Sequence, residues 1–319
     1  MKLALLDDYQ RVALEMADWA SLRGDVEITV FDRHLGDEDA VAAALREFEI
    51  VCIMRERTPF PAALLERLPK LRLLVTSGMR NDAIDLGAAA RLGVTVCGTA
   101  SPGHATAELA FGLILALARG LTTEAGSLRA GGWQAGLGRD LRGAVLGILG
   151  LGRLGSQVAG FGKAFGMDLI AWSQNLTEAR AAEVGVRRVA QDTLFAASDF
   201  VTIHLRLSDR TRGLVGAREL GLMKPDSYLV NTSRGPIVDE EALIEALEQG
   251  RIGGAALDVF DIEPLPPDHR LRRVPNLLLT PHIGYVTREA YRVFYGEMAD
   301  VARAFLEGRP RNLLSSGSS

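Results

Sequence analysis

The chain has 319 residues, 48% of them apolar and 24% charged, the balance of a folded globular protein long enough for two domains. Its 36 basic residues against 40 acidic ones give a net charge of −4, without a basic run suited to a phosphate backbone, so no nucleic-acid partner is expected. The longest apolar run, Leu109–Ala118, is too short to span a bilayer, so no membrane partner is expected either.

The opening "MKLALLDDYQ" places Asp7 and Asp8 directly after a short apolar stretch. It reads as a first strand and not as a signal peptide, and the expected compartment is the cytoplasm. Short runs rich in Val, Ile and Leu follow: "EITVFD", "IVCIM", "LRLLVTSG" and "VTVCG". Between them lie the amphipathic segments "DEDAVAAALREF", "PAALLERLP" and "IDLGAAARLG". This alternation predicts a parallel sheet covered by helices. Cys52 and Cys97 sit inside two of the apolar runs and are expected as buried, reduced thiols, not as a disulfide. One long helix is predicted from about Ala105 to the "AGGW" at 130–133.

A second alternating series begins there, with strands "AVLGIL", "DLIAWS", "VRRVA", "FVTIHL", "SYLVNTS", "GAALDVF" and "LLLTPH". In "DEEALIEALEQG", Asp239 is placed to cap a helix and Gly250 to end it. Thr287 to Glu307 predicts a last amphipathic helix, and the tail "SSGSS" is expected to be disordered. No metal site is expected.

"GLGRLG" sets Gly150, Gly152 and Gly155 in a G-x-G-x-x-G pattern, between a strand at Val145–Leu149 and a helix at Arg153–Phe165. The first glycine permits a tight turn, the second lets the backbone approach a pyrophosphate, and the third lets helix and strand pack closely. The free N–H groups of the helix start then favour phosphate. Arg153 and Leu154 lie within the turn and join the expected cofactor-binding set. About 20 residues on, such turns carry an acid that holds the adenosine ribose. Here that place holds Ser173, Gln174 and Asn175. An acid would repel a 2′-phosphate, and its absence lifts that repulsion. All three residues can donate hydrogen bonds, and Arg153 could add charge. The cofactor is therefore expected to be NADP(H) or NAD(H), with NADP(H) favoured.

Three later stretches carry chemistry. "NTSRGPIVD" holds Arg234 just past a strand end, preceded by Thr232, a further expected cofactor contact; "LDVFDIEPLP" holds Asp258 and Glu263; "TPHIGY" holds His282. Each follows a strand-like run, at the carboxyl edge where parallel sheets bind ligands. A guanidinium can bind a carboxylate and polarise the neighbouring carbonyl. An imidazole can exchange the alcohol proton near neutral pH, and a carboxylate beside it favours the protonated ring.

With these residues in place, the chain resembles the D-isomer-specific 2-hydroxyacid dehydrogenases, which include glyoxylate/hydroxypyruvate reductases, D-lactate dehydrogenases and phosphoglycerate dehydrogenases. The matching stretches are "GILGLGRLG", "VTIHLRLSDRTRGLV", "LMKPDSYLVNTSRGPIVDEEAL", "GAALDVFDIEPLP" and "LLLTPHIGY", within a similarity running from about Leu71 to Leu306. The resemblance implies that Arg234 binds and polarises a 2-oxoacid, that His282 is the general acid/base and that Glu263 is its partner. It implies that Asp258 contacts the nicotinamide carboxamide and that His204 lies near the cofactor. It also implies an α/β fold of two doubly wound parallel-sheet domains. A Rossmann cofactor domain, residues 99–283, would be inserted into a flavodoxin-like substrate domain formed by 1–98 and 284–319. A homodimer is implied, with the long helix near its interface.

The chain departs from the family at "TSGMRNDAID", a loop whose backbone N–H groups help bind the substrate carboxylate in such proteins. Met79 and Arg80 stand where a small residue is usual. Arg80 either stays in solvent or reads a second polar group of the substrate. Arg55 and Arg57 in "MRERTPF" raise the same question. The expected activity is hydride transfer between NAD(P)H and a small 2-oxoacid or 2-hydroxyacid. The alternatives are a phosphoglycerate dehydrogenase, whose phosphate these arginines could read, and a non-catalytic, corepressor-like scaffold that senses the cofactor.

Overall fold

The computed structural model describes residues 1–22 and 24–315; the expectation of a disordered tail falls on 316–319, outside the described residues. The chain forms two compact units, residues 1–102 with 287–319, and residues 103–286.

The first unit opens with β1 (Lys2–Leu5), β2 (Glu27–Val30), α1 (Glu38–Leu45), β3 (Ile50–Ile53), α2 (Ala62–Glu66), β4 (Leu73–Thr76), α3 (Leu86–Arg91) and β5 (Thr95–Gly98). The strands pair in parallel in the order β2-β1-β3-β4-β5. β3 and β4 are buried along their whole length, as strands covered on both faces must be, so their sequences read as continuous apolar runs without alternation. One face packs on Val41, Leu45, Leu64, Leu65, Ala88 and Ala89 of the three helices. Asp37 and Asp85 cap α1 and α3 by accepting N–H groups of Ala40 and Ala88. Cys52 and Cys97 are buried and unbridged, and burial pushes both thiols up, Cys97 to about 11.

The second unit continues with α4 (Ala105–Arg119), α5 (Leu121–Arg129), β6 (Val145–Leu149), α6 (Arg153–Ala164), β7 (Asp168–Trp172), α7 (Glu178–Glu183), β8 (Arg187–Arg188), α8 (Gln191–Ala197), β9 (Phe200–Ile203), α9 (Ala217–Leu222), β10 (Tyr228–Asn231), α10 (Glu240–Glu248), β11 (Gly254–Leu257) and β12 (Leu277–Leu279). Its seven strands are parallel in the order β12-β11-β10-β9-β6-β7-β8. The order reverses direction at β6, which pairs with β7 on one side and β9 on the other. That switch point is where open sheets of this kind bind ligands. One face buries Leu146 and Ile148 of β6 against Ala107, Phe111 and Ile114 of α4 and Val158 of α6. The other buries Leu149, Val201 and Leu229 against Phe195, Leu243 and Ile244. Asp239 caps α10 through Ala242 N, and Gly250 follows its end at φ 63°.

The chain then returns to the first unit through α11 (Arg288–Leu306), capped by Thr287. α11 packs against β4 and buries Phe294, Tyr295, Met298 and Val301.

Two expected elements differ. The single long helix is two, bent by 61° at Gly120, which takes the left-handed conformation at φ 56°. Glycine adopts it without the Cβ clash that other residues meet, and so ends α4. The strand expected from "VRRVA" shrinks to Arg187–Arg188 at the sheet edge, where only β7 pairs with it. Among the described residues no single helix is long and apolar enough to cross a membrane.

Candidate active site

The glycine turn joins β6 to α6. Gly150 adopts φ 102°, and its N–H donates to Trp172 O at 2.8 Å. A Cβ there would lie 2.8 Å from the backbone of His204, and one on Gly155 would lie 2.1 Å from Gly150 O. Gly152 differs, because nothing stands within 4 Å of its missing Cβ. It is the N-cap of α6 and offers no side chain to the first-turn N–H groups. Open space in front of uncapped N–H groups is the geometry that receives phosphate. Leu154 is half-buried against the core. Arg153 lies across Gly103, where a Cβ would come within 1.9 Å of Nη2.

Because Leu149 pairs with Trp172 and with Ile203, the turn sits between Ser173 and His204 at the sheet's carboxyl edge. Ser173 is half-buried, Gln174 and Asn175 are exposed, and Leu176 N closes the turn onto Ser173 O at 3.0 Å. His204 Nε2 lies 2.9 Å from Thr202 Oγ1. Burial lowers its pKa to about 4, so the ring is neutral at pH 7.

Past β10, the fully buried Asn231 organises the next loop. Its Nδ2 donates to Arg234 O at 2.9 Å, and its Oδ1 accepts Ser233 N at 3.0 Å. Arg234 follows in extended backbone, with Nη1 donating to Ser233 O at 2.7 Å. Gly235 then packs on the chain near Phe260, since a Cβ there would meet that backbone at 2.2 Å. The buried hydroxyl of Thr232 has no hydrogen-bond partner among the described residues.

Glu263 lies in the loop after β11. Its Oε1 accepts Phe260 N at 2.9 Å, and its Oε2 accepts His282 Nδ1 at 2.5 Å. Burial pushes its carboxyl up. The hydrogen bond and charge of His282, the Phe260 N–H and the charge of Arg234 outweigh that and hold it below its ordinary range. His282 sits at φ 51°, with its ring edge-on to Tyr285 at 5.3 Å.

What holds His282 in that left-handed backbone is Asp258, which is wholly buried. Its Oδ1 accepts Thr280 Oγ1 at 2.6 Å and Ile283 N at 2.8 Å, and its Oδ2 accepts Gly284 N at 2.8 Å. Burial raises its pKa against these bonds. The carboxylate thus brackets His282 from both sides. Thr280 and Asn231, which carry the two loops, were not singled out in the sequence; the only signal for them is their place at the ends of strands β12 and β10.

In the first unit, Arg55 adopts φ 55° and anchors to Ser77 through N to Oγ at 2.9 Å and Nη1 to O at 3.3 Å. Its guanidinium covers Gly78, where a Cβ would lie 2.2 Å from Nη1. The Gly78 N–H donates to Thr99 Oγ1 at 2.9 Å. Met79 is half exposed, and Arg80 is exposed and paired with Asp82 at 3.3 Å. Arg57 donates to Asp7 O at 2.8 Å and lies over the Tyr9 ring at 4.6 Å.

Residues 111–284 match the family model described as D-isomer specific 2-hydroxyacid dehydrogenase, NAD binding domain. The chain is 43% identical over 265 residues to a glyoxylate reductase of Aeropyrum pernix, covering 79% of this chain and 78% of that one. It is similar to the crystal structure of a phosphoglycerate oxidoreductase from Vibrio cholerae, with a TM-score of 0.90 and 38% identity over 97% of this chain and 99% of that one. An acyclic imino acid reductase in complex with NADPH and D-Arg shares the fold at a TM-score of 0.77 and 25% identity, over 98% and 100% of the two chains. The chain belongs to the D-isomer specific 2-hydroxyacid dehydrogenase family, oxidoreductases that use a nicotinamide cofactor on small 2-hydroxyacids.

Proposed function

We propose that this protein interconverts small 2-oxoacids and D-2-hydroxyacids, with His282 as acid/base, Glu263 as its partner and Arg234 as the group that binds and polarises the substrate. The observation that carries this reading is the 2.5 Å bond between Glu263 and His282, formed within the field of Arg234.

The residues fit a nicotinamide cofactor. Gly152 leaves the start of α6 open for a pyrophosphate, and Thr232 offers a buried hydroxyl without a partner. When bound, the cofactor supplies or receives the hydride. Glu263 is held ionised, and with Nδ1 committed to it, Nε2 of His282 is the ring nitrogen left for proton transfer. That nitrogen gives its proton to the carbonyl oxygen in reduction and takes it from the hydroxyl in oxidation. The Arg234 guanidinium pairs with the substrate carboxylate and draws charge from the adjacent carbonyl. His204, kept neutral, adds no second positive charge at the cofactor edge.

In this reading the second unit is the cofactor domain and the first the substrate domain. The absence of an acid at 173–175 favours NADPH over NADH. A homodimer is supported by α5, which buries none of its residues, and by exposed Leu121, Leu128, Trp133 and Leu137. A second reading, phosphoglycerate or another 2-hydroxyacid with a second anionic group, is favoured by Arg55, whose guanidinium covers Gly78.

Initial rates with NADPH and NADH over a panel of glyoxylate, hydroxypyruvate, longer 2-oxoacids and phosphohydroxypyruvate test the reading. Turnover of a small 2-oxoacid to the D product, faster with NADPH, supports it. Cofactor binding without turnover of any of them points to the scaffold.

A further inference from the structure

The 173–176 loop lacks an acid, but a cation from further along the chain reaches the helix that follows the glycine turn. Arg180, on α7, extends its guanidinium to the first turn of α6, where Nη2 donates to Ser156 Oγ at 3.3 Å. Its Nη1 donates to Glu183 Oε2 at 2.8 Å, and its backbone N–H is fixed by Thr177 Oγ1 at 3.2 Å. These bonds take two of the five guanidinium donors, and the side chain remains 47% exposed. The charge is therefore held between Glu183 and the first turn of α6, with donors to spare. On the other flank, Arg188 Nε donates to Leu176 O at 2.8 Å and pins the far end of the loop.

Arg153, the cation within the glycine turn, is a poorer candidate for the same task. Its guanidinium lies against Gly103, and no Cβ could be added there without meeting it.

We infer that Arg180 selects a cofactor carrying a 2′-phosphate on its adenosine ribose, an assignment that rests on the nicotinamide-cofactor reading above. In folds of this kind the ribose lies at the end of the strand beside the glycine turn, here at Ser173, which Gly150 adjoins through its bond to Trp172 O. A phosphate at that place meets Ser173, Gln174 and Asn175 as neutral donors and Arg180 as the charge that a guanidinium fork pairs with best. The acid that would repel it is missing, and among the described residues the carboxylate paired with Arg180, Glu183, holds the guanidinium from the α7 side.

Fluorescence titration of NADPH and NADH into the intact protein, the Arg180→Ala variant and the Arg180→Lys variant tests the assignment by affinity alone. The wild type is expected to bind NADPH the more tightly. Arg180→Ala should weaken NADPH about tenfold or more while NADH stays within about twofold, with a shallower salt dependence for NADPH; Arg180→Lys should recover part of the loss. Equal weakening of both cofactors, or no change in either, overturns the assignment. A wild type that binds NADH more tightly overturns it as well. Binding of neither cofactor sinks the cofactor reading itself. Because turnover is not read, failure of the 2-oxoacid reading leaves these affinities and their ratio intact as the measure of Arg180.

Discussion

Gly155 and Gly150 touch across the glycine turn so closely that a Cβ on Gly155 would sit 2.1 Å from the carbonyl oxygen of Gly150. The contact lets α6 start directly at the end of β6, which aims its free N–H groups at the switch point of the sheet. Gly155→Ala must push helix and turn apart. We expect a loss of about 1–3 kcal/mol in stability and at least a tenfold loss in cofactor affinity. Urea unfolding and cofactor titration measure the two effects, and a variant that binds normally would show that the turn can yield.

The hydroxyl of Thr232 is buried and, among the described residues, without a partner. A buried donor left unsatisfied lowers stability, so Thr232→Val should hold or raise the melting temperature of the cofactor-free protein. If the cofactor uses that hydroxyl, the same variant binds it severalfold more weakly. A variant unchanged in affinity removes Thr232 from the cofactor site.

His204 gives a pH signature. In the unfolded chain its imidazole takes a proton near 6.5, and in the folded chain packing lowers that to about 4. Between those values the unfolded state binds a proton that the folded state refuses. Stability is therefore untouched by this residue above 6.5 and lost progressively as pH falls towards about 4. His204→Gln should flatten that part of the curve of unfolding free energy against pH. Parallel curves for the two proteins would place His204 in solvent.

Glu263 acts with the opposite kind of shift. Its carboxyl is held below its ordinary 4.5 because His282, with the Phe260 N–H and the charge of Arg234, outweighs the cost of burial. The stability it adds is present above 4.5 and lost as pH falls through the lower folded value. The advantage of the wild type over Glu263→Gln in urea midpoint should therefore shrink below about pH 4.5. At neutral pH the same variant should lose about tenfold or more in kcat, since Nδ1 of His282 loses its charged hydrogen-bond partner.

The candidate site was legible because its residues lie in local motifs. Gly150, Gly152 and Gly155 are demanded by one turn, and Arg234, Glu263 and His282 each follow a strand that ends at the same edge. Periodicity found the strands for the same reason, since parallel strands buried on both faces are apolar runs. The bend at Gly120 was hidden because the apolar pattern runs through it, and one glycine inside a helix costs only about 1 kcal/mol. Only the backbone reveals that it turns left-handed. Asp258 could be seen, but not that its carboxylate brackets His282 through Thr280, Ile283 and Gly284. Arg180 escaped notice because its partner, Ser156, lies on another helix. Arg80, Arg55 and Arg57 look alike in sequence. The fold separates them: Arg80 pairs with Asp82, Arg55 covers Gly78 and Arg57 stacks on Tyr9.

The most direct test of the account is the single-turnover rate of 2-oxoacid reduction in the wild type and in His282→Ala, measured beside cofactor affinity. We expect the wild type to form the D-2-hydroxyacid and the variant to be slower by about a hundredfold or more, with cofactor affinity within about twofold. A variant that reduces 2-oxoacids at the wild-type rate would contradict the role given to His282, and with it the reading of the site.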